Sequence, residues 1–172
     1  MYIGHIGAAL AAKRVRVSIG LLPLLVATYA PDLIDTGMCV ARRYNPMLSH
    51  SVPAVLALAL AGSIWYALVA RDRMGGVIVG AVVVSHMFLD WVTGVKPTWP
   101  GGPTIGLHLY DHPMADFAAE GAVIAIGALL YARTLPARQR PWADVAIMLG
   151  ALLVLQLLID VAHLLMQNLP KC

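Results

Sequence analysis

Apolar runs separated by short polar stretches divide the chain into six segments. Segment A covers Tyr2–Ala12 and B runs from Val17 to about Ile34; C is Ser51–Ala70, D is Met74–Gly94, E is Pro113–Ala132 and F is Ala143–Met166. A helix rises about 1.5 Å per residue and the hydrocarbon core is about 30 Å thick, so a span takes about 20 residues. B to F meet or approach that length, and A does not. The pattern predicts an all-α polytopic membrane bundle of about five full spans plus a short N-terminal helix, forming a single transmembrane helical domain over 1–172. Polar loops are expected over 36–50 and 95–112. The second, rich in Pro and Gly, has the length of a lid or binding loop. Lys13, Arg14 and Arg16 follow segment A instead of preceding it, the reverse of a secretory signal, so A is read as retained.

Composition agrees with a membrane protein. Of the 172 residues 60% are hydrophobic and 12% charged, about half the charge of an average soluble domain. That excludes a soluble globule, a disordered chain, a coiled coil and a disulfide-rich scaffold. The net charge of +3 forms no basic stripe with interleaved aromatics, so no nucleic-acid partner is expected. Lys13, Arg14, Arg16, Arg71, Arg73, Arg133, Arg138 and Arg140 fall in the A–B, C–D and E–F connections; only Arg42, Arg43, Lys96 and Lys171 fall in the others. The positive-inside rule then places the first set in the cytoplasm and both termini and loops 36–50 and 95–112 outside. Cys39 and Cys172 have no CxxC spacing, and a bridge between them is left open.

Ionisable side chains inside spans are costly and are therefore functional candidates. His5 lies on A, Asp32 and Asp35 end B, His50 begins C, His86 and Asp90 lie late in D, Asp116 and Glu120 early in E, and Asp160 and His163 late in F. In an alternating bundle all of these occupy the outward half. Counted along the helical rise from the cytoplasmic turns, most lie about 18–30 Å up, and His5 only about 12 Å, a mismatch that a kink at Pro23 or Pro31 would relieve. The i,i+4 pairs His86/Asp90 and Asp116/Glu120 and the i,i+3 pair Asp160/His163 each share a helix face. Imidazoles and carboxylates converging from facing helices build metal sites in bundles, with Zn²⁺ favoured and Mn²⁺ or Fe²⁺ as alternatives. The plainer reading of any one pair is a hydrogen-bonded strut between helices.

There is no HExxH, GxSxG or P-loop in the chain, which leaves zincin, serine-hydrolase and ATPase chemistry without support. Gly4-His5, Pro31-Asp32-Leu-Ile-Asp35, Leu48-Ser49-His50-Ser51 and Ser85-His86-Met-Phe-Leu-Asp90 occur in that order, followed by Thr93, Gly94 and Trp99-Pro100. This series resembles the YdjM-like family of bacterial inner-membrane proteins, described as predicted membrane-bound metal-dependent hydrolases. It departs from that pattern in the three-residue step from Asp32 to Asp35, in Ser49 where the family has Thr, and around Asn45-Pro46, where the family often has a further histidine. His108, Asp111 or His112 could supply a ligand missing there.

The resemblance implies a divalent metal, zinc first, held by Asp32, His50, His86 and Asp90 with His5 as a fifth ligand. Asp35 or Glu120 is the candidate catalytic base. Ser49, Thr93 and Asp116 are expected to support the ligands, and Trp99, His108, Asp111 and His112 to contact substrate from the loop. The expected reaction is hydrolysis of a lipid-linked or interfacial ester or phosphoester at the outward face of the inner membrane. The oligomeric state is left open. The rival readings are a small proton or metal-ion transporter and a non-catalytic membrane scaffold built on the same His/Asp layer.

Overall fold

The computed structural model describes residues 3–43, 45–136 and 142–166. Among these are seven α-helices: α1 (Gly4–Val15), α2 (Leu21–Thr28), α3 (Ala30–Val40), α4 (Val52–Val69), α5 (Arg73–Thr93), α6 (Pro113–Ala132) and α7 (Trp142–Met166). Four of them, α4 to α7, are long and apolar enough to cross a membrane. The fifth expected span is corrected by the structure. Segment B is not one helix but two, with Tyr29 serving as the C-cap of α2 and the N-cap of α3. Pro31 is the physical cause: it has no N–H to donate back to Ala27, and its ring disfavours helical geometry at the residue before it. Thr28, the last residue of α2, carries a carbonyl that matters at the site.

The first loop differs from the expected 36–50. Helix α3 continues to Val40, so the first loop begins at Ala41 and contains a 3₁₀ turn over Pro46–Leu48. The second holds two antiparallel strands, β1 (Lys96–Pro97) and β2 (Thr104–Ile105), with Lys96 opposite Ile105, and a 3₁₀ turn at Leu109–Asp111. It is anchored at both ends: Val52 N–H donates to Thr98 O at 2.8 Å and Leu107 N–H to Trp91 O at 2.8 Å.

Short α1 is the centre of the bundle, packing on α6 along one side and on α2 and α5 along the other. Its contact with α6 is backbone to backbone. A Cβ on Gly7 would lie 2.4 Å from the Val123 carbonyl oxygen, and one on Gly127 would lie 2.2 Å from the Gly7 carbonyl oxygen. Small residues let membrane helices approach this closely. Gly7→Val is therefore expected to force α1 off α6 at a cost of about 1–3 kcal/mol, seen as a lower thermal midpoint in detergent. A midpoint equal to wild type would mean that the two helices do not meet there. The start of α1 is capped by other helices: Ile3 N–H donates to Gln156 Oε1 (3.1 Å) on α7 and Gly4 N–H to Glu120 Oε2 (3.0 Å) on α6. These satisfy donors that a helix cannot pair internally.

At the other end of α1, Arg16 Nε donates to Asp72 Oδ2 at 2.7 Å, so the α1–α2 and α4–α5 turns share one side of the bundle. Asp72 also accepts from Gly75 N–H at 2.9 Å. That bond, with Arg16 alongside, holds its carboxyl below the usual range. The distribution of polarity is inverted relative to a soluble core. Leu60, Trp65, Leu68, Leu158 and Leu165 are exposed, while His5, His50, His86, Asp90, Asp116, Glu120 and Gln156 are buried. Apolar exteriors around buried ionisable groups are what lipid as a solvent selects.

Candidate metal centre

Four side chains from three parts of the chain meet beside α1. Asp32 comes from the first turn of α3, His50 from the loop before α4, and His86 and Asp90 from successive turns of α5. The His50 loop is locally determined. Asn45 caps the 3₁₀ turn through Met47 N–H (3.0 Å), His50 N–H donates to Pro46 O (2.9 Å), and Ser51 Oγ donates to Met47 O (2.6 Å).

One ligand atom from each of the four side chains lies within 4.8 Å of every other. His50 Nε2 is 3.3 Å from Asp32 Oδ1, 3.3 Å from Asp90 Oδ2 and 3.2 Å from His86 Nε2. His86 Nε2 is 3.3 Å from Asp90 Oδ2 and 3.7 Å from Asp32 Oδ1. A tetrahedron around zinc with bonds of about 2.0–2.1 Å has edges of about 3.3–3.4 Å. These five separations, spanning 3.2–3.7 Å, are close to that figure.

The groups behind the cluster fix which nitrogen carries the proton. His86 Nδ1 is 2.7 Å from the carbonyl of Thr28, the last residue of α2. A carbonyl only accepts, so Nδ1 carries a proton, and in the neutral ring Nε2 presents a lone pair. His50 Nδ1 is 3.1 Å from Asp35 Oδ2 and 2.9 Å from Ser49 Oγ, whose own proton goes to Asp35 in a short hydrogen bond. With that ring neutral as well, its Nε2 also presents a lone pair. Two imidazole lone pairs and two carboxylate oxygens converge on one point. Protonating both imidazoles instead would set two cations 3.2 Å apart. A bound cation resolves the arrangement, and carboxylate or carbonyl groups behind ligating histidines are the usual support of such centres.

His5 adjoins the four without joining them. Its ring centroid is 4.1 Å from that of His86 and its Nε2 is 3.6 Å from Asp90 Oδ1. It is fully buried, and neither ring nitrogen has a hydrogen-bond partner among the described residues. Buried polar atoms without partners are rare enough to require an explanation, and a neighbouring cation centre supplies one. Despite the shorter rise counted for His5 along the chain, the structure sets it beside His86 and Asp90.

Other expected residues lie elsewhere. Glu120 is at the start of α1, held by Gly4 N–H. Asp116 is buried with Oδ1 unpartnered, lining a small cavity with Tyr110, Asp160 and His163. Thr93 is buried and donates to Leu89 O (3.4 Å) within its own helix. Trp99 is exposed at the tip of the β1–β2 hairpin. His108 and Asp111 are exposed and 3.7 Å apart, and His112 is exposed at the start of α6. Three contributors have no counterpart in the expected set. Lys96 Nζ is 3.0 Å from Asp90 Oδ2; the Thr28 carbonyl is main chain; and Gln156, the lone amide in an apolar run, donates to Asp160 Oδ1 (2.6 Å). Lys96 was visible as the first cation after His-x-x-x-Asp. Cys172 and Lys171 lie outside the described residues.

The mouth of the cluster is at Asp32. Its side chain is 39% exposed, against 2% or less for the other three. It opens into a cavity of about 480 Å³ lined in part by Tyr29, Asp35, Asp90, Lys96 and Tyr110.

Fold and site together define a helical membrane protein that buries a histidine–carboxylate centre capable of holding a metal ion. Over residues 1–164 the chain matches the YdjM inner membrane protein family, and it belongs to that family as an integral protein of the inner membrane. No curated protein and no solved structure matches it. The match extends well beyond the first hundred residues that carry the motifs.

Proposed function

We propose that the protein is a membrane-embedded, metal-dependent hydrolase of a lipid-linked or interfacial ester or phosphoester, with its site toward the outward face. The observation that carries this reading is the convergence of four lone-pair atoms from Asp32, His50, His86 and Asp90 at the floor of an open cavity. A divalent cation held there supplies Lewis acidity for the ester oxygen and acidifies water. His5 is the candidate fifth donor. Zinc suits the donor set best, with manganese or iron as alternatives.

The chain's own residues divide the remaining work. Thr28 O and the Asp35–Ser49 pair hold the two imidazoles in the ligating tautomer. Substrate reaches the cluster past Asp32. Asp35 lines the cavity and is the better placed of the two candidate bases; Glu120 is committed to the start of α1. In the reaction the water oxygen bonds to the carbonyl carbon or phosphorus, the bond to the leaving oxygen breaks, and Asp35 passes the water proton to that oxygen. The outward placement is supported by charge. The Arg16–Asp72 end, with Lys13, Arg14, Arg71 and Arg73, is the more basic end of the bundle, and the cluster is not at that end.

The test is turnover of soluble nitrophenyl esters and phosphoesters by purified protein. Hydrolysis that a chelator abolishes and added Zn²⁺ restores is expected. Metal-loaded protein that turns over neither class would overturn the hydrolase reading and favour the carrier or scaffold.

A further inference from the structure

Lys96 is the one cation placed against the centre among the described residues, and the fold takes trouble to place it. It follows α5 by three residues, on strand β1, paired with Ile105. The hairpin is tied down by Thr98, whose N–H and Oγ both donate to Pro103 O (3.1 and 2.6 Å) and whose carbonyl accepts from Val52 N–H. The backbone that carries the ammonium is therefore fixed by the hairpin. An ammonium has three N–H donors, and the 3.0 Å contact with Asp90 Oδ2 engages one. That same oxygen belongs to the converging four, so a bound cation would share Asp90 with Lys96 and leave the other two ammonium donors for a further acceptor.

Lys96 also marks a junction. The cavity of about 480 Å³ above the cluster and a second of about 310 Å³ beside His108 and Asp111 share Lys96 and Tyr110 as walls. A group bound at Lys96 thus has room on both sides, one toward the cluster and one toward the loop. A neutral carboxylic ester offers an ammonium only an uncharged carbonyl oxygen as acceptor. A phosphate offers several charged oxygens, and charge-assisted bonds to it are about twice as strong as neutral ones.

We propose that Lys96 binds the phosphate group of the substrate at the junction of the two cavities, so that the substrates are phosphate esters. This rests on the metal-centre reading above and narrows it. The competing role for Lys96 is to neutralise Asp90 alone.

The experiment is titration calorimetry on zinc-loaded, detergent-purified wild type, Lys96→Met and Lys96→Arg. The probes are inorganic phosphate and a soluble short-chain phosphatidic acid, and metal content is measured on the same samples. Wild type is expected to bind at least one probe, Lys96→Met to lose about tenfold or more in affinity with its zinc intact, and Lys96→Arg to keep most of it. Binding of phosphatidic acid alone would identify a lipid headgroup as the source, and binding of both a phosphate recognised without its lipid. Wild type that holds zinc but binds neither probe at about 10 mM overturns the inference, whatever the variants do. So does Lys96→Met that binds as wild type does, or that loses zinc while keeping its phosphate affinity. Wild type without zinc after loading overturns the metal centre itself and is read separately.

Discussion

Wild type is expected to emerge from purification with close to one divalent metal ion per chain, and His86→Ala without it. Mass spectrometry of the metal content checks this. His86 Nε2 stands within 3.2–3.7 Å of all three other ligand atoms, so its loss removes a vertex of the set, and no described side chain is placed to replace it. His5 has its ring tilted against that of His86, centroids 4.1 Å apart, and no atom of it is in the four-residue group. Asp90→Ala should behave the same way and should also leave Lys96 without its partner. The scaffold reading predicts a different result: both variants would lower the thermal midpoint while metal content, at whatever level, stays the same. A thermal midpoint measured beside the metal content separates the two. Equal metal in wild type and His86→Ala would remove the basis for the centre.

The motif residues were legible because each sits at a cost. His86 and Asp90 in an apolar run, one helical turn apart, share a face whatever the tertiary structure, and Asp32 and His50 fall at the same level once the segments alternate. Helical rise reports depth but not angle around the bundle. Asp116, Glu120 and Asp160 therefore read as part of one layer with the cluster. The structure divides them into a second group near the start of α1, where Glu120 and Gln156 cap the N–H groups of Gly4 and Ile3. Segment B was legible only in part: Pro31 was read as a site for a kink, and the structure makes the junction a full boundary between α2 and α3. The carbonyl of Thr28 turned on His86 is a main-chain contact that no side-chain pattern encodes. Segment A was discounted for its length, yet Gly7 against Gly127 makes it the central helix.

A second large effect is expected from the two carboxylates that the sequence left as equal candidates for the base. Asp35→Asn should retain a folded protein that still takes up metal at saturation. Its metal affinity should fall about 10–100-fold, the usual result of removing a group that orients a ligating histidine. Asn keeps a carbonyl oxygen toward His50 Nδ1 but loses the charge that steadies it. Turnover should fall further, by about 10²–10⁴, if Asp35 also carries the proton to the leaving oxygen. Glu120→Gln should do the opposite. The amide oxygen can still accept from Gly4 N–H, so turnover and metal affinity should stay near wild type, and only the stability of the α1–α6 contact should change. Metal titration, steady-state rates at saturating metal and thermal melts on both variants read these three quantities independently. Equal loss of turnover in the two would make Glu120 part of the reaction despite its distance from the cavity. Loss in Glu120→Gln alone would transfer the proton-carrying role to it and leave Asp35 with only the orientation of His50.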